Sequence, residues 1–420
     1  MTAHRPIEKD CCAGGTGLMP PETALARAIR LKAEELPVTQ VPLMTARGMV
    51  LAAPVLAAAD GPPFDACAMD GYAVTTTALA GAGPWTLPVS GNVAAGDAPA
   101  SLCPGAAVRV LTGATLPHGA DAVIMQEEVT RVADGIRFSR HPEPGQNIRP
   151  KGSDMQAGAT ILSPGRILTP RDIAAAAASG QGALTVRTRL PMALIATGSE
   201  LLDPGAPLAP GQIWNVNLPM LAALADQRWI ELAPPLTVVD RLAPMAEALR
   251  EAATHAHLIL TSGGACGGET DLVARAIQAA GGTAETLRLA MKPGKPLVLG
   301  RIGRTIVLGL PGNPVAAFVT WQMIALPLAR HLAGATPVPQ RPCFATLDRA
   351  LSRAPGRREY RPARLVGHDI SGRPMLELGP RDFSARVAGL AEADGLAILP
   401  ADAAHFEAGD EVAFLPFDTA

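Results

Sequence analysis

The chain has 420 residues, 48% of them apolar and 18% charged, and a formal net charge of −2; this suits roughly three or four globular domains and gives no broad electrostatic attraction to nucleic acid or an acidic membrane. The 42 glycines and 40 prolines are spread along the chain and predict many turns and short strands rather than disorder. No apolar stretch reads as a membrane span, the start MTAHRPIEKDCC lacks the apolar core of a signal peptide, and six cysteines without metal-type spacing point to a reduced cytoplasm, with the vicinal Cys11 and Cys12 read as a bland pair.

Residues 1–17 are expected to be a disordered tail. The spacing Ala24-Leu25, Ala28-Ile29, Leu36 after Pro20-Pro21 predicts a helix over Glu22 to Glu35. Residues 60–147 show short alternating runs, such as Val108 to Leu111 and Ala122 to Met125, broken by glycine and proline; that is the signature of a β-rich domain. Thr169-Pro170-Arg171-Asp172 opens a short alanine-rich helix closed by Gly180, and a strand follows near Ala183 to Arg187. Strands and helices alternate over residues 189–334, which implies a three-layer α/β domain. After the linker-like AGATPVPQRP, the short, evenly spaced strands of residues 335–420 read as a small β-barrel or sandwich.

Four loops of the α/β region carry candidate chemistry. The apolar run Leu258 to Leu260 leads into TSGGACGGETD. There Gly263 and Gly264 permit close backbone approach, and the helix start after them offers free amides to an anion. Glu269 and Asp271 at that helix start would suit a divalent metal such as Mg2+, although a plain βα turn with an Asp cap has the same form. The run Met192 to Ala196 breaks into Thr197-Gly198-Ser199-Glu200, adding another carboxylate. GLPGNP places Pro311 in a turn, Asn313 at a helix cap and Pro314 at the first position of an apolar-faced helix reaching about Leu332. MKPGKP carries Lys292 and Lys295 on one proline-stiffened turn. In an open parallel sheet these loops gather at the carboxyl ends of the strands, so carboxylates for a metal and lysines for phosphates would converge.

From about Leu18 to the end, the chain resembles the molybdopterin molybdenumtransferases (MoeA, and the E domain of gephyrin). The resemblance rests on PPFDACAMDGYAV (Pro62 to Val74), VLTGATLPHGADAVIMQEE (Val110 to Glu128), NIRPKGSDMQAG (Asn147 to Gly158), TGSEL, SGG…GE-x-D, KPGKP and GLPGNP, in the family's order. It implies a multidomain α/β and β fold: a MogA/MoaB-like three-layer domain, an elongated β-rich domain, a C-terminal β-barrel, and a discontinuous α/β dimerisation region at 18–59 and 148–188. It also implies a homodimer that inserts molybdate into adenylylated molybdopterin and releases AMP with Mg2+, meeting an adenylyltransferase and cofactor-receiving enzymes. By the same resemblance, Asp70 and Thr112 belong to a site shared with the partner subunit and Asp154 is a functional aspartate. Glu200 and Asp271 act on the metal, and Lys292 and Lys295 hold phosphate or molybdate oxygens. Arg361 and Ser384 fall where the family contacts molybdate or pterin.

The sequence departs from the family pattern in places. GGACGGETDL replaces GGVSxGExDY, Cys67 stands where serine is common, Asn215 replaces an acid, and Phe383 and Ala385 flank Ser384 in place of glycines. The acids and lysines remain, which favours an enzyme; the second reading is a non-catalytic paralogue that binds molybdopterin or the finished cofactor for delivery or sensing.

Overall fold

The computed structural model describes residues 17–31, 34–264, 272–337, 342–380 and 386–417. All of the expected tail but Gly17 therefore lies outside the described residues, as do Cys11 and Cys12.

The first helix, Pro21–Ile29, is shorter than its spacing predicts. Ala24 and Ala28 bury its inner face, but Leu36 is buried separately, ahead of Pro37 and the strand Val38–Pro42. A residue before proline is disfavoured in the helical region, so Leu36 cannot continue the turn. That strand pairs antiparallel with Ala183–Arg187. The helix Pro170–Ala178 packs into the same core as this pair, through Ala176 against Leu184 and Val186, and is opened by a capping box in which Thr169 and Asp172 satisfy each other's backbone. Asp172 is buried and its Oδ1 accepts from Arg166 Nη2 at 2.8 Å. Burial opposes its charge, but the Thr169 backbone amide, the Thr169 hydroxyl and Arg166 outweigh it and hold the carboxyl below the usual aspartate range. A depressed carboxyl contributes stability above its unfolded pKa and loses it as pH falls through the folded value. Asp172→Asn is therefore expected to lower the denaturant midpoint at neutral pH by about 1–2 kcal/mol equivalent, with the deficit shrinking in acid; a deficit independent of pH would refute the charge argument.

The β-rich region is a six-stranded sheet in the order Ala122–Met125, Gly71–Val74, Ala107–Val110, Trp85–Val93, Gly135–Phe138, Thr130–Val132. Strand alternation puts Tyr72, Val74, Ala107 and Ile124 into one core and Ala73, Val108, Val110 and Val123 into another, so its centre is buried on both faces. Cys67 joins the second core, and burial pushes its thiol up to about 11, which leaves it unreactive.

The α/β region is built on a seven-stranded sheet that is mixed, not purely parallel. Leu190–Thr197, Leu258–Ser262 and Thr305–Leu310 run parallel. Pro296–Ile302 pairs antiparallel with Thr305–Leu310, and Thr283–Arg288 antiparallel with Pro296–Ile302. The turn joining these last two strands, Arg288 to Pro296, consequently emerges at the carboxyl ends of the parallel strands. The lysine turn reaches the expected end of the sheet through a hairpin.

Residues 314–332 form one continuous helical element with a π-helical stretch, Trp321–Ala325, in its middle. Pro327 explains the interruption, since it cannot donate to the preceding turn. By length and apolarity this element would pass as a membrane span, contrary to the reading of the sequence, but 67% of it is buried in the core of the fold.

In the last region Arg358–His368, Pro374–Leu378, Cys343–Leu347, Glu411–Pro416 and Gly395–Leu399 pair in a ring closed by the first and last, making a five-stranded barrel. Met291–Lys292 adds to it as an outer strand parallel to Arg358–Glu359. The lysine turn is thus stitched to the barrel as well as to the α/β sheet.

Candidate functional site

At the carboxyl end of the mixed sheet, Thr197 ends its strand buried and donates its hydroxyl to Asp240, just past the neighbouring strand Leu236–Val238. Beside it Gly263 takes φ +94°, and a Cβ there would sit 2.1 Å from the Thr197 carbonyl oxygen. The close approach opens a cavity of about 110 Å³ lined by Glu200, Trp214, Asn217, Ser262, Gly263 and Pro314. Asn217, 8% exposed, donates from Nδ2 to Ser262 Oγ and to the Gly312 carbonyl, both at 2.7 Å. Its Oδ1 is a buried acceptor with no partner among the described residues; a ligand N–H or O–H would satisfy it. Asn215, where the resemblance expects an acid, is 2% exposed and sits in neutral hydrogen bonds, accepting from Leu218 N at 3.1 Å and donating to Thr237 Oγ1 at 3.3 Å. Glu200 is exposed at the cavity and its side chain makes no hydrogen bond or ion pair among the described residues.

GLPGNP behaves as its sequence predicts. Asn313 caps the helix Pro314–Thr320 by accepting from Ala316 N at 3.2 Å, with Pro314 at its first position. The carbonyl of Pro311 faces Ser262 Oγ at 3.5 Å. The lysine turn packs on this same helix: Gly294, φ +100°, leaves no room for a Cβ, which would lie 2.8 Å from Thr320 Oγ1. Within the turn Leu289 N donates to the Lys295 carbonyl at 2.6 Å. Lys292 Nζ lies 3.3 Å from Glu359 Oε2, and Glu359 Oε1 accepts from Arg361 Nε at 2.6 Å. One buried carboxylate thereby brings together Lys292 and Arg361, from the α/β region and the barrel.

Asp70 and Thr112 are also paired, on the six-stranded sheet. Asp70 Oδ1 accepts from both Thr112 N and Thr112 Oγ1 at 2.7 Å, and the Thr112 amide, then its hydroxyl, hold the Asp70 carboxyl below the usual range. Gly71 follows because a Cβ there would meet the Ile124 carbonyl oxygen at 2.0 Å. Asp154 lines a separate cavity of about 380 Å³ together with Asp60, Arg149, Met155 and Ser179. The structure therefore gathers the predicted residues into three places: the strand-end cavity with the lysine turn, the Asp70–Thr112 pair, and the Asp154 cavity. Glu269, Asp271 and Ser384 lie outside the described residues. Asn217, Ser262 and Glu359 are polar residues of these places that motif reading passed over; Ser262 ends an apolar run, whereas Glu359 stands among arginines.

Comparison with known proteins accounts for this arrangement. The MoeA N-terminal region (domain I and II) matches residues 19–180, the "Probable molybdopterin binding domain" matches 193–331, and the MoeA C-terminal region (domain IV) matches 345–417. Molybdopterin molybdenumtransferase 2 of Mycobacterium tuberculosis is 38% identical over 386 residues, covering 90% of this chain and 94% of that protein. The molybdopterin molybdenumtransferase of Haemophilus influenzae is 33% identical over 385 residues, covering 90% and 93%. The crystal structure of the molybdopterin biosynthesis moeA protein from Pyrococcus horikoshii OT3 superposes with a TM-score of 0.78 at 28% identity, over 95% of this chain and 100% of that one. The order of domains, the mixed sheet and the closing barrel agree with these matches throughout, and the chain belongs to the MoeA family of molybdenum cofactor biosynthesis proteins.

Proposed function

We propose that this protein inserts molybdate into adenylylated molybdopterin with release of AMP, assisted by Mg2+, as a cytoplasmic homodimer. The observation that carries the reading is the convergence of Lys292 and Arg361 on one buried carboxylate at the strand-end side of the sheet. Both substrates are oxyanions. A lysine supplies a compact charge and an arginine a planar fork, which together suit tetrahedral oxygens. The cavity complements this with glycine backbone at Gly263 and Gly312 and the unpaired Asn217 acceptor for the polar edge of a ligand.

Mg2+ is commonly held by one or two carboxylates together with ligand phosphates. Among the described residues the cavity offers one such carboxylate, Glu200, and in our reading Asp271 supplies another. Bound there, the ion would neutralise charge on the phosphate oxygens. Lys292 and Lys295 orient the anion, and the Thr197–Asp240 contact fixes the strand end against which it lies. Asp70, Thr112 and Asp154 complete the site of the partner subunit in this reading. The division expected at 60–147, 189–334 and 335–420 assigns these roles to separate domains.

The lysines give the direct test. Replacing Lys292 and Lys295 together by Ala is expected to weaken binding of adenylylated molybdopterin by more than about tenfold and to make turnover depend more steeply on added molybdate, whereas the double Arg variant keeps partial activity. Unchanged affinity in the double Ala protein would leave the lysines as surface charge. Complementation of a strain lacking its own transferase, read by nitrate reductase activity, separates insertion from binding alone: a protein that binds molybdopterin but restores no activity would be a carrier.

A further inference from the structure

We propose that Glu359 is a positioning residue for the anion site, fixing Lys292 and Arg361 in one geometry across the junction of sheet and barrel. The inference rests on the reading that Lys292 binds the anion. Glu359 is 0% exposed and is surrounded by Arg361, Arg353 and Lys292. Its Oε1 accepts from Arg361 through Nε at 2.6 Å and through Nη2. Its Oε2 faces Lys292 Nζ at 3.3 Å and Arg353 Nε at 3.4 Å, and no hydrogen bond of ordinary geometry reaches it. Three cations thus meet on one buried carboxylate, which sets their mutual geometry at the place where an oxyanion would bind.

The cations are not equivalent. Arg353, its side chain 3% exposed, donates from Nη1 to the Pro400 carbonyl at 2.6 Å and from Nη2 to the Arg357 carbonyl, and so braces the barrel. Burial pushes its guanidinium below the usual range, and the charge of Glu359 opposes that shift. The Lys292 side chain is 38% exposed, so its ammonium can turn from Glu359 towards a ligand. Register explains why this lysine meets this carboxylate: Lys292 pairs with Glu359 in the parallel outer strand, and Arg357 Nη1 donates to the Met291 carbonyl at 3.3 Å. A neutral side chain at 359 would remove the shared carboxylate from the buried guanidinium groups and release the lysine head into solvent.

The test is a double-mutant cycle read by titration of molybdate into the purified full chain: wild type, Glu359→Gln, Lys292→Met and both together. Glu359→Gln is expected to weaken molybdate binding roughly tenfold, Lys292→Met by a similar factor, and the double variant by clearly less than the roughly hundredfold product of the two, because the carboxylate acts largely through the lysine. In turnover the loss should fall on KM for molybdate, with kcat within about twofold. Additive losses in the double variant, or wild-type affinity in Glu359→Gln, overturn the proposal. If Glu359→Gln does not fold, Glu359→Asp replaces it in the cycle; it keeps the charge one methylene shorter and is expected to give a smaller loss with the same non-additivity, and additivity again overturns the proposal. Failure of the wild type to bind molybdate would bring down the functional reading and this inference with it, whereas wild-type binding with an unaffected Glu359→Gln brings down this inference alone.

Discussion

Gly263→Ala is expected to destabilise the protein by several kcal/mol, on the order of 2–4, and to abolish its activity in complementation. Two costs add. The residue sits at φ +94°, where an L side chain is strained, and its Cβ would lie 2.1 Å from the Thr197 carbonyl oxygen. Neither backbone can retreat easily, because Ile195 and Ala196 are in parallel register with Thr261 and Ser262, and Thr197 is tied to Asp240. Any retreat that did occur would move the cavity wall, where a Cβ on Gly312 would already meet the Gly263 Cα at 3.5 Å. Gly281→Ala is the control. Gly281 has φ +87° but nothing within 4 Å of its Cβ position, so its substitution carries only the backbone cost of about 1–2 kcal/mol. Equal denaturant midpoints for the two variants would remove the steric argument.

Local signals of this kind were readable in the sequence wherever one residue type dictates one geometry. Asn313-Pro314 announces a capped helix start, Thr169 to Asp172 a capping box, and Ala122 to Met125 a strand, and the structure has all three. The arrival of the lysine turn at the ligand end of the sheet was inferred from a parallel sheet, yet it depends on the antiparallel hairpin of Thr283–Arg288 and Pro296–Ile302. Short apolar runs do not encode the direction of their neighbours, so that pairing was not legible. Glu359 was illegible for a different reason. In REYR it has the same appearance as any surface glutamate, and only barrel closure and the outer strand Met291–Lys292 bury it among cations. The long helix shows the limit of periodicity in another way, since the spacing predicts its extent but not the π-helical adjustment ahead of Pro327.

Mixing two inactive variants is expected to restore activity, because in our reading each active site is assembled from two subunits. Asp70 and Thr112 hold each other on the six-stranded sheet, while the strand-end cavity and lysine turn belong to a different sheet of the same chain. In the segment that leads into Asp70, Phe64 and Met69 are 39% and 44% exposed, apolar surface suited to contact with another subunit. Asp70→Ala should inactivate from the sheet side. Removing the Asp70 charge also frees the Thr112 amide and hydroxyl, so the loop after Ala107–Val110 loses its anchor. Asp271→Asn should inactivate from the metal side, where loss of a ligand removes charge compensation worth several kcal/mol. If sites are shared, a heterodimer of the two carries both defects in one site and none in the other. At equal mixing about half of the dimers are heterodimers, so recovered activity should approach about a quarter of the wild-type value. If every site drew its residues from one chain, each site in the heterodimer would hold one defect and mixing would restore nothing. Heterodimers confirmed by mass yet inactive would exclude the shared site, and a monomer on sizing at micromolar concentration would exclude the dimer itself.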